Sequence, residues 1–140
     1  MFTDAYDVVI YRSADEIMQQ FEKFDANVVF GAELFCNPDK QKAKRFPKTR
    51  NGVEKRYLNS GGYIGKVTDI YAIISRIIEK HKIRKTESDQ KHFQEVYLDG
   101  RLREKHRIKL DHNSTIFLNI YGAADDIEFH CSEGKIRYFF

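Results

Sequence analysis

The sequence predicts an α/β fold. Short apolar runs suited to buried strands alternate with segments in which apolar residues recur at helical spacing. The 140 residues are enough for one domain with its own core and too few for two of ordinary size. We therefore expect residues 1–140 to form a single domain.

The first part of the chain predicts a strand, a helix and a second strand. Val8-Val9-Ile10 is a β-branched run that predicts a buried strand. Ser13-Ala14-Asp15-Glu16 has the form of a capping box, and the apolar spacing after it predicts an amphipathic helix over residues 14–24. Asn27–Ala32 predicts a second buried strand, which would complete a right-handed crossover with parallel strands.

Residues 36–56 are polar and interrupted by prolines, which predicts a long loop with room for one hairpin. The basic run from Lys40 to Arg56 has two interpretations, a nucleic-acid patch or a solvated loop. The solvated loop is favoured, because Phe46 is the only aromatic residue placed for base stacking. We therefore expect no nucleic-acid partner.

The stretch Tyr57–Gly65 has three glycines within five positions, flanked by aromatic and aliphatic residues. Such a pattern indicates backbone in close approach to another group. One interpretation is a strand bend beneath a packed helix. The other is a sugar or phosphate lying against the bare backbone of Gly61 and Gly62.

The second half predicts two helices followed by short strands. Isoleucines at helical spacing predict a helix over Val67–Lys82, and a second helix opens at Thr86–Gln90, where capping accounts for Glu87 and Asp89. The remaining elements are a charged linker over residues 99–107, strands at Ile108–His112 and Ile116–Asn119, and a hairpin over Asp126–Phe139.

Composition excludes several classes of protein. No apolar run approaches the ~20 residues of a membrane span, and Asp4 and Asp7 interrupt any signal-peptide core at the start. Cys36 and Cys131 fit neither a zinc pattern nor a redox pair, and they are either free thiols or one disulfide.

Asp4 and Asp7 lie three residues apart, directly before an apolar run. A short turn can aim both carboxylates at one hard divalent cation, with a phosphorylated substrate supplying further oxygen ligands. The commoner meaning of such a pair is a cap or turn. Ligands gather beyond the carboxyl ends of strands, so the pair must follow an earlier strand or depart from that rule.

Several short sequence stretches that occur in one order identify a family more specifically than any single stretch does. They are Phe2–Val8, Val28–Glu33, Tyr57–Gly65, Ser88–Gln90, Tyr97–Asp99, Leu110–His112, Ile116–Asn119 and Gly122–Ala123. Together they resemble the glycosyltransferase domain of the procollagen-lysine hydroxylase/glycosyltransferase (PLOD) family. The resemblance implies a glycosyltransferase-A-like mixed sheet flanked by helices, a UDP-sugar donor, Mn²⁺, and a collagen-like or hydroxylysine-bearing acceptor.

The resemblance also implies roles for individual residues. Asp4 and Asp7 match the metal-ligating aspartates, and Tyr6 matches the tyrosine between them that contacts the nucleotide. Gly61 and Gly62 match a strand beside the donor sugar.

Other matched positions depart from the family pattern. Asp89 matches the last acid of an aspartate-rich helix start, in which Glu87 and Ser88 replace aspartates. Asn37 stands where a family member has a tryptophan near the donor sugar.

Sugar transfer requires a group that positions the acceptor hydroxyl or accepts its proton. Asp89 and Asp111 are the candidates from the sequence. For Asp111, a structural role at a strand end is the favoured alternative.

The resemblance calls for nucleotide-binding strands before Met1 and a third metal ligand, a histidine in a His-Gly-x-Gly stretch, after Phe140. We therefore expect a glycosyltransferase domain incomplete at both ends, weak or inactive alone. The alternative is a non-catalytic remnant that acts as a binding or interaction module. Family members reside in the endoplasmic reticulum lumen, but without a signal peptide the sequence assigns no compartment.

Overall fold

A four-stranded mixed sheet forms the centre of the fold. Its strands are Phe2–Thr3 (β1), Val28–Glu33 (β2), Tyr57–Gly65 (β3) and Ile108–Asp111 (β4), arranged in the order β1-β3-β2-β4. Strand β3 is antiparallel to β1 and β2, whereas β4 is parallel to β2. Strands β1, β2 and β4 therefore run in one direction, and their carboxyl ends lie at the same edge of the sheet.

The computed structural model describes residues 1–49, 53–81, 87–122, 128–132 and 135–139. Its helices are Ala14–Glu22 (α1), Val67–Lys80 (α2), Gln90–Leu98 (α3) and Gly100–Lys105 (α4), with a 3-10 helix at Lys40–Arg45. A hairpin pairs Glu128–Ser132 (β5) with Lys135–Phe139 (β6), as predicted. Some predictions concern positions outside the described residues, namely Asn51-Gly52, residue 82, Thr86, Ala123 and the hairpin turn.

The core lies between the sheet and the helices α2 and α3. All six residues of β2 are buried, and the Phe30 ring packs against the rings of Tyr63 and Phe93. Helix α2 contributes Ile73 and Ile77. The predicted α/β class and the two helices predicted in the second half of the chain are confirmed, although Ile78, one of the isoleucines at helical spacing, is exposed.

Helix α1 begins at the predicted capping box. The Ser13 amide donates to Oε2 of Glu16 at 2.9 Å, and the Glu16 amide donates to Oγ of Ser13 at 3.3 Å. All nine residues of α1 keep at least partial exposure, so its stability depends on these end contacts more than on a buried face.

The predicted strand at Val8-Val9-Ile10 is wrong. These side chains are exposed, Val9 by 71%, and the first strand is Phe2–Thr3, which pairs with Tyr63 and Gly62 of β3. Strands β1 and β2 are parallel as predicted for a crossover, but β3 lies between them. Asp4 therefore follows a strand after all.

Two further predictions are wrong for identifiable reasons. The charged stretch 99–107 contains α4, whose start is capped by the Asp99 carboxylate accepting from the amides of Arg101 and Leu102. Residues 116–119 form no strand, because the amides of Ile116 and Phe117 donate to the Asp111 carboxylate instead of to a neighbouring strand.

Cys36 is a buried free thiol whose Sγ donates to the carbonyl oxygen of Asp39 at 3.2 Å. Burial raises the pKa of this thiol, and the charges of Asp39 and Glu33 raise it further. The thiol is therefore a packed core group with low reactivity. The side chain of Cys131 lies outside the described part of the chain.

Within the described ranges, every helix is too short or too polar to cross a membrane.

Candidate functional site

A cleft of about 700 Å³ opens at the edge of the sheet where β1, β2 and β4 end. Its volume falls within the ~300–1,000 Å³ of typical ligand sites, and the edge is where α/β sheets bind ligands. The lining residues are Met1, Thr3, Asp4, residues 7–12, Ile17, Gly31, Glu33, Asn37, Asn59, Gly61, Gly62 and residues 116–121.

Asp4 is positioned by the end of strand β1. Its amide donates to the carbonyl oxygen of Gly61 at 2.8 Å, which extends the β1–β3 pairing by one residue. A Cβ atom on Gly61 would lie 2.8 Å from Oδ2 of Asp4 and 3.0 Å from Oδ1 of Asn59. Position 61 therefore requires glycine if the Asp4 carboxylate is to keep its place.

Two other carboxylates act on Asp4. Partial desolvation raises the pKa of Asp4, and the negative charges of Asp7 and Asp89 raise it further. Asp7 lines the same cleft as Asp4. The fold thus brings together three of the acids singled out in the sequence, although Asp89 is 85 positions from Asp4.

Asp89 lies at the start of α3, where an acid meets the helix dipole, but its side chain does not cap the helix through a hydrogen bond. Its backbone is helical and its side chain makes no cap hydrogen bond. Instead Oδ1 of Asp89 accepts a hydrogen bond of 3.1 Å from Oγ of Ser60 in strand β3. That contact aims the carboxylate toward β3 and Asp4.

Tyr6 and Asp111 have contrasting surroundings. The Tyr6 side chain is fully exposed, at 102% of its reference area, whereas Asp111 is 0% exposed. Both oxygens of Asp111 accept backbone hydrogen bonds, from the amides of Thr115 (2.8 Å), Ile116 (2.6 Å) and Phe117 (2.8 Å). This geometry favours the structural alternative for Asp111, which anchors a loop that lines the cleft.

Gly62 has a packing role. A Cβ atom on Gly62 would lie 2.6 Å from Cδ1 of the Phe117 ring. The loop anchored by Asp111 therefore lays the Phe117 ring directly against bare backbone of β3. The close approach that the glycines predict is present, to the Asp4 carboxylate at Gly61 and to the Phe117 ring at Gly62, while a sugar or phosphate against them stays a prediction.

Glu33 was not singled out from the sequence as a site residue. It ends strand β2, lines the cleft and is only 4% exposed. Its carboxylate accepts hydrogen bonds from Nε2 of Gln90 at 2.8 Å and from Nδ2 of Asn59 at 3.4 Å. Burial raises the pKa of Glu33, against the opposing effect of those two bonds. An acid at the carboxyl end of a buried strand is the pattern that points to it.

A polar network connects Glu33 to the acidic cluster. Nε2 of Gln90 also donates to the carbonyl oxygen of Asn37 at 2.7 Å. On the other side, Oδ1 of Asn59 accepts from the Gly61 amide at 2.9 Å. Since Gly61 in turn binds the Asp4 amide, the network fixes the start of α3, the end of β2 and the turn at Asp4 relative to one another.

The family model and the similar proteins that match this chain all indicate the same family. The family described as PLOD GT domain matches residues 1–139. The multifunctional procollagen lysine hydroxylase and glycosyltransferase LH3 of Rattus norvegicus is 39% identical over 137 residues, which cover 98% of this chain. The procollagen-lysine,2-oxoglutarate 5-dioxygenase of Drosophila melanogaster is 38% identical over 128 residues, and the human procollagen-lysine,2-oxoglutarate 5-dioxygenase 2 is 37% identical over 138.

These relatives are much longer proteins. The matched region is 18% of the rat and human proteins and 17% of the Drosophila protein. The similarity covers 98% of this chain with the rat and human proteins and 91% with the Drosophila protein.

Proposed function

The chain belongs to the PLOD glycosyltransferase domain family, and we propose that it transfers a hexosyl group from a UDP-sugar to a hydroxylysine-type hydroxyl of a collagen-like acceptor. The names of the relatives support this acceptor, since they act on procollagen lysine or combine that activity with glycosyl transfer. The cleft at the end of the parallel strands supports a donor of nucleotide-sugar size.

The observation that carries the proposal is the convergence of Asp4, Asp7 and Asp89 beside the bare backbone of Gly61. Like charges held close together cost free energy, which is why the pKa of Asp4 is raised beyond the effect of desolvation. A divalent cation removes that cost. Asp4, on which two further carboxylates act at the edge of a cleft, therefore fits a cation site better than it fits a structural turn.

The oxygen donors suit Mn²⁺, a cation that carboxylates bind well. We propose that Asp4 and Asp7 hold it, with phosphate oxygens of the donor completing the coordination. Once bound, the ion would supply charge neutralisation at the diphosphate leaving group.

The remaining residues would bind and orient the reactants. The absence of a side chain on Gly61 lets Asp4 keep its place beside β3. Tyr6, with its ring fully in solvent, offers a face for stacking on the uracil base. Asp89, fixed by Ser60, is the carboxylate we propose to position the acceptor hydroxyl. Asp111 takes no part in this step, because its oxygens are occupied by backbone amides.

Binding of UDP with and without Mn²⁺ tests the proposal directly. We expect calorimetry to give UDP binding that depends on Mn²⁺ in the 140-residue chain and that is lost in Asp4→Asn. Asp15→Asn, an exposed aspartate on α1, is the matched control and should bind as the unmodified chain does. A non-catalytic interaction module would show no metal-dependent affinity for UDP, and that result would overturn the proposal.

Transfer is tested separately with UDP-glucose and UDP-galactose and a hydroxylysine-containing collagen peptide. Product carrying one hexose, found by mass spectrometry, would support the acceptor. UDP binding without transfer to this peptide would leave the donor supported and would agree with a domain that is weak or inactive alone.

A further inference from the structure

A second cluster of metal-binding side chains lies away from the cleft, between the end of α2 and the middle of α3. His81 follows the last residue of α2, and His92 and Glu95 lie three residues apart on α3. That spacing puts both α3 side chains on one face of the helix. One ligand atom from each of the three residues lies within 4.8 Å of the others.

His92 is buried with both ring nitrogens short of a hydrogen bond within the described ranges, although its ring packs on that of His81, with centroids 4.3 Å apart. The side chain is only 3% exposed, and neither ring nitrogen has a hydrogen-bond partner among the described residues. Oε2 of Glu87 is 3.6 Å from Nε2, which is an ion-pair distance if His92 is protonated but is beyond hydrogen-bond distance. A buried imidazole without a hydrogen bond is costly, and a metal ion would satisfy one of its ring nitrogens.

The space for an ion is present. A cavity of about 30 Å³ is lined by all three residues, and about 10–15 Å³ is enough for one water-sized particle. In the described part of the chain, its lining has no residue in common with that of the large cleft. The cluster is therefore separate from the proposed donor site.

Basic side chains contact both carboxylate oxygens of Glu95. Oε1 of Glu95 is 3.4 Å from Nζ of buried Lys42, while Oε2 is 3.3 Å from Nε2 of His81 and 3.8 Å from Nζ of Lys80. Arg76 also borders the cavity. Lys80 is 61% exposed and can turn into solvent, so Oε2 can serve as a ligand while Oε1 keeps Lys42.

We propose that His81, His92 and Glu95 form a Zn²⁺ site that ties the end of α2 to α3. Two imidazoles and one carboxylate are a ligand set that zinc accepts, with a water in the fourth position. Imidazole ligands favour Zn²⁺ over Mn²⁺, which distinguishes this site from the carboxylate cluster at the cleft. The proposal does not depend on glycosyl transfer.

Metal titration of the 140-residue chain tests it. We expect equilibrium dialysis against Zn²⁺ with excess Mn²⁺ present to give one tightly bound zinc per chain. The Co²⁺-substituted protein should show the visible absorption of a tetrahedral site without thiolate charge transfer. His81→Gln and Glu95→Gln should each weaken zinc binding by at least about tenfold, because each removes one of three protein ligands.

Two controls separate this site from other binding. His112→Gln removes a histidine whose Nδ1 contacts the Lys55 carbonyl, and Asp4→Asn disables the carboxylate cluster. Both variants should bind zinc as the unmodified chain does. His81 is partly exposed, so its variant should fold, and circular dichroism verifies this for every variant. Absence of zinc binding, unchanged binding in His81→Gln, or loss in Asp4→Asn would each overturn the proposal.

Discussion

The side-chain amide of Gln90 donates a hydrogen bond of 2.8 Å to the carboxylate of Glu33, which fastens the first turn of α3 to the end of β2. The two residues are 57 positions apart. Because Glu33 is almost wholly buried, this bond and the weaker one from Asn59 are what compensate its loss of hydration.

Replacing Gln90 by Ala should therefore destabilise the fold. It leaves the buried Glu33 carboxylate short of a donor, which costs about 1–3 kcal/mol in free energy of unfolding. Urea denaturation followed by circular dichroism measures the change. Gln19→Ala, on the exposed surface of α1, is the control and should change the free energy of unfolding by no more than about 0.5 kcal/mol.

The raised pKa of Glu33 predicts how stability depends on pH. The folded protein holds this proton more tightly than the unfolded chain, so the stability that Glu33 contributes is complete below its ordinary pKa of 4.5. That contribution is lost as the pH rises through the folded pKa. Glu33→Gln has no such loss and keeps an oxygen that can accept from Gln90.

We therefore expect Glu33→Gln to gain stability relative to the unmodified chain as the pH rises from below 4.5, and then to level off. Urea denaturation over a pH series measures the difference, and Glu22→Gln on α1 provides the reference. A difference that shrinks as the pH rises would contradict the assigned direction.

Asp4→Asn tests the carboxylate cluster. It removes one proposed metal ligand and one of three mutually repelling charges, so Mn²⁺ affinity should fall by at least about tenfold while the fold is kept. Electron paramagnetic resonance of free Mn²⁺ measures the affinity. Equal affinity in Asp4→Asn and in Asp15→Asn would show that the metal binds elsewhere.

Gly61→Ala should impair the same site without touching a ligand. Its Cβ would lie 2.8 Å from Oδ2 of Asp4, so the carboxylate must move. We expect Mn²⁺ affinity several-fold below that of the unmodified chain. Gly100→Ala is a matched control, since its Cβ would have nothing within 4 Å, and it should leave Mn²⁺ affinity unchanged.

Asp111→Asn separates a structural from a catalytic role. An amide cannot accept all three backbone hydrogen bonds, so the variant should lose about 2–4 kcal/mol in free energy of unfolding. Thermal and urea denaturation measure this loss. A variant with undiminished stability and abolished sugar transfer would contradict the structural assignment.

Much of the fold could be predicted because its core elements are periodic. Strand β2 and helix α2 are long apolar or amphipathic segments, and their residues pack as the local pattern indicates. Val8-Val9-Ile10 has the composition of a buried strand, yet these residues line a cleft. A run of three residues is too short to show which of these two structures it forms.

The site was less predictable because its contacts are distant in sequence. Asp89 sits where a helix cap is expected, and only the folded chain supplies Ser60 as the competing partner. Asp111 is likewise a candidate acid for sugar transfer from the sequence, but in the fold its carboxylate accepts hydrogen bonds from the amides of the following loop. The local sequence identifies acidic residues, but their neighbours in the folded chain decide which carboxylates are available to bind a cation or a substrate.

The hydrogen bonds to Asp111 also fix one wall of the cleft. The Phe117 amide donates to the buried Asp111 carboxylate, and the Phe117 ring lies against the backbone of Gly62, so this residue has little room to move. The opposite wall, residues 7–12, consists largely of exposed side chains on irregular backbone. On the proposed function, a shift in donor preference would therefore arise by substitution in residues 7–12, with Phe117 left as it is.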